Sequence, residues 1–128
     1  MATGFPASTG DVLSAAMFNG LVTFTLTTQS GATYTVANSD LYQVAILTSN
    51  ASTKTVTIAP DSTLTSAAVG SAITFINTGA GLLTFAAGAG VTIVSAGAVS
   101  AAPTLAQYRA CTCIRTAANS WIIVGAVG

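Results

Sequence analysis

The sequence predicts an all-β fold: a compact antiparallel β-sandwich or barrel-like domain of about nine short strands, with a short N-terminal arm carrying one helical turn. Three observations predict it. From Leu21 onward, apolar residues recur with period two in segment after segment. Thr, Val and Ile, which suit a pleated and half-buried surface, are abundant. Clusters of Gly, Asn, Ser and Pro interrupt the chain at close spacing.

The first segment, Met1–Gly20, differs from the rest and is expected to be an attachment arm. Ser14 is placed to cap a helical turn, with Leu13 and Phe18 as a hydrophobic staple across it. Asn19-Gly20 supplies a left-handed stop. Such a turn is too short to be stable alone and needs something to pack on. Its contact residues are expected to be Asp11, Leu13, Ser14, Met17, Phe18 and Asn19.

Residues 21–128 are expected to form the β domain. In Leu21–Thr28, Val22, Phe24 and Leu26 fall on one face and Thr23, Thr25 and Thr27 on the other. Gln29-Ser30-Gly31 turns the chain into a short strand with Tyr34 and Val36 inward. Tyr42, Val44 and Ile46 alternate with Gln43, Ala45 and Leu47, and Ser49–Ser52 turns again. Val56 and Ile58 point inward on the next strand, which Pro60-Asp61 ends. Ile73–Ile76 is a short apolar strand, and Asn77–Gly81 reads as a hairpin turn. Leu82–Ala86 and Val91–Val94 follow, separated by Ala87–Gly90. The small-residue loop Ser95–Pro103 leads to Ala106–Arg115, and Ala117–Ser120 turns into Trp121–Val127. Phe24, Tyr108 and Trp121 are the expected core anchors. Thr-x-Thr triplets such as Thr53–Thr55 and Thr55–Thr57 keep no fixed period, so a β-solenoid is not expected.

Charge is scarce. Only Asp11, Asp40, Lys54, Asp61, Arg109 and Arg115 ionise at neutral pH, and there is no Glu or His. Charged residues make up 5% of the chain, against roughly a quarter in ordinary soluble domains. A free monomer normally keeps a mixed charged surface to stay dispersed. With 52% hydrophobic residues and zero net charge, this chain suits a permanent assembly. Three basic residues leave no electrostatic footprint for nucleic acid. No apolar run reaches the roughly 18 residues of a spanning helix, and the aromatics form no girdle, so no membrane partner is expected. Met1–Gly10 holds no Lys or Arg, so no secretory leader is expected.

The motifs that carry chemistry read as structure. Cys111 and Cys113 share one face of a strand with no His or second Cys pair to complete a metal site, and are expected as two small buried hydrophobes. Gly79-Ala80-Gly81 and Gly88-Ala89-Gly90 lack the third small residue of a dinucleotide loop and precede strands, so both are turns. The three Asp residues sit beside turn residues, where Asp bends or caps backbone. Lys54, flanked by Thr, is expected as a solvated charge on a sheet edge. No Ser-His or Cys-His couple exists. No catalytic, cofactor or metal residues are assigned, and no enzyme is expected.

Two stretches carry a resemblance. Gly10-Asp11-Val12-Leu13-Ser14-Ala15-Ala16-Met17-Phe18-Asn19 resembles a G-x-x-L-[ST]-A-x-x-x-N element near the N-terminus of tailed-bacteriophage virion proteins. Val56–Pro60, Val69–Gly81, Gly90–Ile93, Gln107-Tyr108 and Trp121–Gly125 resemble, in that order, a β domain common in phage structural proteins. Asp40 stands where that domain has its own Asp, and the resemblance covers about three quarters of the chain. Cys111 and Cys113 depart from its usual aliphatic or Ala residues.

The resemblance implies a small phage virion structural protein, trimeric, of the head-decoration or fibre type. The shortness of the chain favours a small surface protein over a long fibre. The expected function is capsid decoration or cement: a homotrimer bound to the major capsid protein on the head surface, stabilising the shell. The alternative is a tail-associated fibre or adhesin module that recognises a host-surface glycan.

Overall fold

The computed structural model describes residues 26–42, 45–95, 98–99 and 101–128. The fold is predominantly β. It starts as a coil. β1 (Leu26–Gln29), β3 (Ala45–Thr48) and β5 (Ala72–Asn77) lie side by side and parallel in one sheet. β2 (Thr33–Thr35), β4 (Lys54–Ile58) and β6 (Leu83–Ala87) lie side by side and parallel in a second. Each passage of the chain therefore contributes one strand to each sheet.

After β6 the path changes. β7 (Thr92–Ser95) and β8 (Ala98–Val99) form an antiparallel pair in the first sheet, and β9 (Thr104–Leu105) lies antiparallel to β6 in the second. The hairpin of β10 (Arg109–Ala117) and β11 (Ser120–Gly125) inserts between β5 and β7. The larger sheet thus has seven strands in the order β1-β3-β5-β10-β11-β7-β8, and the smaller has four in the order β2-β4-β6-β9.

Alternate residues of both sheets close on one core. Ile46, Ile73, Phe75, Cys111, Cys113, Trp121 and Ile123 come from the larger sheet, and Val56, Ile58, Leu83, Phe85 and Leu105 from the smaller. Phe75 and Phe85 meet across the sheets edge to face, centroids 5.2 Å apart, a geometry that aromatic quadrupoles favour. The core is apolar because a coil path leaves each strand one inward face, and period two fills it.

Two sets of connections bound the core. On one side, the turn after β5 stacks on the turn after β3. Thr78 N–H and Gly79 N–H donate to Thr48 O, and Gly81 N–H donates to Asn50 O. The approach is close enough that a Cβ on Gly79 would lie 2.1 Å from Asn50 O, and one on Gly81 1.8 Å from Ser52 O. Only glycine fits there. Beneath them Asn77 is buried and fully used. Its Oδ1 accepts from Thr48 Oγ1 and Gly79 N–H, and its Nδ2 donates to Gly81 O and Leu105 O.

On the other side, Asp61 ties the connection after β4 to the β10–β11 hairpin. Arg115 donates twice to its carboxylate, at 2.7 and 3.2 Å. Asp61 and Asn119 exchange two further bonds through backbone N–H and side chain. A 3-10 turn, Asn38–Tyr42, holds Asp40, whose Oδ2 accepts from Tyr34 Oη and Ala37 N–H.

Several expectations are corrected here. The sheets are mixed, not antiparallel, and the described residues hold eleven strands. The turns after β1, β3, β5 and β6 cross to the opposite sheet, including Asn77–Gly81, where a hairpin was expected. Turn chemistry reverses the chain in either case, so it does not report which sheet the next strand joins. The coil went unread because its turns are unequal: the registered pair Leu26↔Ala45 spans far less chain than Lys54↔Leu83. Leu26 faces outward and is 59% exposed, with Thr27 and Gln29 on the inner phase. Lys54 is buried on a central strand, its ammonium donating to Gly31 O. Burial there lowers its pKa. The N-terminal arm, its six contact residues and Phe24 lie outside the described residues.

Asn77→Ala removes four hydrogen bonds and strands their partners. A buried polar group without a partner costs about 1–3 kcal/mol, so the expected loss exceeds about 2 kcal/mol, read as a lowered denaturation midpoint. A second expectation concerns acid. The Arg115 guanidinium holds the Asp61 carboxyl below its ordinary value, helped by the Asn119 N–H. A depressed carboxylate adds stability above its ordinary pKa and loses it as pH falls through the folded value. Thermal melts between pH 5 and 2 should therefore fall more steeply for the wild type than for Asp61→Asn.

Candidate functional site: the outer face of the larger sheet

Residues that alternate with the core residues of the larger sheet point away from it. Register arranges them in three rows. Thr28, Leu47, Ile76 and Ala110 are successive neighbours across β1, β3, β5 and β10. Thr74, Thr112 and Val124 are neighbours across β5, β10 and β11, and Leu26 lies beside Ala45 at the β1 edge. Ala72, Ile114, Ile122 and Val94 cross β5, β10, β11 and β7. Thr74 and Thr112 share a hydrogen bond through their hydroxyls at 3.2 Å. Val124 and Leu26 are the most open of the large apolar residues in these rows, at 44% and 59% exposure.

No residue of these rows is charged. The ionisable side chains are used elsewhere. Asp40 is buried against Tyr34, whose phenol burial and the Asp40 bond keep protonated. Lys54 is buried, and Asp61 is paired with Arg115. Arg109 is exposed at the start of β10. The β10 phase that carries Arg109 and Arg115 also carries Cys111 and Cys113, so neither arginine lies on the outer phase.

The outer face of the smaller sheet is chemically different. Thr33, Thr55, Thr84 and Thr104 form one row across all four strands, and Thr35, Thr57 and Ala86 form a second. Threonine gives a sheet its β-branched packing and still offers a hydroxyl to water. One face of the molecule is thus equipped for solvent. The other is uncharged and mixes leucine, isoleucine and valine with threonine and alanine, with Thr74 and Thr112 in its middle row.

The expected core anchors separate. Trp121 is 1% exposed inside the core, although its indole N–H finds no partner among the described residues. Tyr108 is 78% exposed, which corrects its assignment to the core. It precedes β10 and holds a left-handed backbone with φ of 61°, uncommon for a bulky residue. Its N–H donates to Asn77 O, which turns the chain before the strand phase can begin. Cys111 and Cys113 are buried free thiols. The Cys111 hydrogen bond and burial push the Cys113 thiol well up, so it holds its proton and is unreactive.

The described residues show no pocket and no metal-binding group of three. The outer rows were not singled out by period alone. Their signal lies in strands without strict alternation, Ile73–Ile76 and Trp121–Val124, since near-continuous apolar runs mark strands covered on both faces. No family model, no curated protein and no solved structure matches the chain.

Tyr108→Gly should relieve the backbone strain at that position. A strained residue of this kind costs about 1–3 kcal/mol, partly offset by the added chain entropy of glycine. The expected outcome is an unchanged or raised unfolding midpoint, measured by thermal denaturation.

Proposed function

We propose that this chain is a virion structural protein of a tailed bacteriophage, a capsid decoration or cement protein. In this reading it sits on the head surface, binds the major capsid protein as a homotrimer and stabilises the shell. The observation that carries the reading is the charge-free apolar face of the larger sheet, a surface that suits a permanent interface. The motif order from Gly10 to Gly125 supports the phage setting. Small subunits that bridge capsomers add interface where a shell parts under pressure, and many weak bridges act together once assembled. The role involves no catalysis, cofactor, nucleic acid or membrane.

One observation favours a second reading. Tyr108 presents its ring to solvent beside the exposed Arg109, and an aromatic next to a cation can stack on a sugar. That pairing suits a tail adhesin that recognises a host-surface glycan.

A phage lacking the gene separates the two. Cement predicts particles that assemble and adsorb normally but release DNA at lower temperature, with hundreds of copies in the wild-type virion. Lost adsorption with unchanged heat stability refutes cement and favours the adhesin. Because the face carries no charge, capsid binding should change little with salt.

A further inference from the structure

We propose that the connection Asp61–Ser71 is a cap that opens as a unit while both sheets stay folded, and that the Asp61–Arg115 ion pair is the clasp that holds it shut.

The geometry is that of a loop closed at its neck. These eleven residues join β4 to β5 without helix or strand. Both ends meet on one residue of β10. The Arg115 side chain grips the Asp61 carboxylate at the start of the loop. The Arg115 backbone holds the finish: its carbonyl accepts from Gly70 N–H at 2.8 Å, and its N–H donates to Ser71 O at 2.9 Å. Compact surface loops of roughly 6–16 residues with adjoining ends are frequently functional.

The span between the ends is lightly held. Leu64 is its one buried residue and plugs the core, with Ala67 packed against the same cluster. Most of the other residues are exposed, Val69 to 70%. Several backbone bonds are local and can travel with the cap: Thr63 and Leu64 N–H donate to Pro60 O, and Ala67 N–H donates to Leu64 O. Beyond the neck, the hydrogen bonds to the rest of the molecule are three exposed ones that involve the Asn38 side chain. Few buried apolar contacts and solvent-exposed hydrogen bonds mark a unit that opens below the free energy of global unfolding. Opening withdraws Leu64 from the core and adds it to Val69 as apolar surface.

Acid releases the clasp. Arg115 from β10 and Asn119 from the hairpin turn face the Asp61 carboxylate. Asp40, on the 3-10 turn that carries Asn38, is occupied by Tyr34 and Ala37. Arg115 holds the Asp61 carboxyl below its ordinary range. The clasp is therefore intact at neutral pH and is lost as pH falls through the lowered value.

The test is amide hydrogen exchange of the full chain, read residue by residue by NMR, with circular dichroism to confirm folding. The N–H groups of Asp61, Gly70 and Arg115 bond across the neck and report the cap. Phe85 N–H, bonded to Pro103 O, reports the sheets. The cap N–H groups are expected to exchange at least about 10-fold faster than Phe85. Sub-denaturing urea should speed Phe85 and barely change the cap, because a local opening exposes little surface. Asp61→Asn is expected to speed cap exchange about 10-fold, the loss of roughly one charge-assisted hydrogen bond. In the wild type the same loss of protection, corrected for intrinsic exchange, is expected between about pH 6 and pH 3, and Asp61→Asn should lack it. Cap exchange that matches Phe85 in rate and urea dependence overturns the proposal, because the cap then opens only with the whole molecule. Cap protection that neither Asp61→Asn nor acid reduces also overturns it. The urea and acid arms use the wild type, so they decide the matter even where the variant fails to fold.

Discussion

Asn77 is the side chain on which the coil depends. A coil of parallel strands needs the chain to leave one sheet, cross the edge of the core and enter the other at a fixed height. At the end of β5 that crossing is set by one buried amide. It receives Thr48 from the strand beside it and Gly79 from the turn, and reaches across to Gly81 and Leu105. Thr48 and Asn77 are registered partners in the larger sheet, whereas Leu105 belongs to the smaller. A single residue therefore joins two neighbouring strands, one turn and the opposite sheet. Buried amides are stable only when fully bonded, which makes this arrangement specific to one register. A slip by one residue would put Ile76 or Thr78 in its place and leave four groups unpaired.

The glycines of the same turn act on distance where Asn77 acts on direction. Gly79 and Gly81 let the turn after β5 sit directly on the turn after β3, at a separation no side chain permits. Stacked turns keep β3 and β5 level, so Ile46 and Phe75 face the same layer of core. Level strands also make the outer rows straight, which joins Leu47 to Ile76 and Ile76 to Ala110 as one surface. The continuity of the outer rows is thus tied to the corner.

Much of the fold was legible in the sequence, and what was not has identifiable causes. Period two located strands near Thr33, Ala45, Thr55, Ile73, Leu83, Thr92 and Trp121, and the burial of Val56, Ile58, Trp121 and both cysteines followed from phase. Pairing direction did not follow, because a turn such as Asn77–Gly81 has the same composition whether it makes a hairpin or crosses between sheets. Lys54 was misplaced because a lysine among threonines resembles an edge charge. Its core phase with Val56 and Ile58 was the contrary signal, and its long stem lets the ammonium reach a carbonyl at the corner. Tyr108 was misplaced because phase counting assumes continuous extended backbone, and its positive φ breaks the count one residue before β10 begins. The apolar outer face was hidden because alternation assigns one apolar phase per strand, whereas β5, β10 and β11 carry two.

The scarcity of charge and the two unlike faces are one constraint seen at two scales. Within the described residues, each charge other than Arg109 is buried or paired to hold a connection: Asp40 its own turn, Lys54 the first corner, Asp61 and Arg115 the hairpin. Arg109 is exposed but lies off the outer phase of the larger sheet, so among the described residues no charge stands in the rows of that face. In a free monomer that is a liability, because an uncharged apolar sheet face promotes association. In a repeating assembly the same absence removes the desolvation cost of burying ions, so contacts form through shape and apolar area alone. The threonine rows of the smaller sheet offer hydroxyls to water, which hydrate that face without adding charge. Among the described residues the charges, Arg109 excepted, serve internal connections, and the outer faces of both sheets are left to neutral side chains.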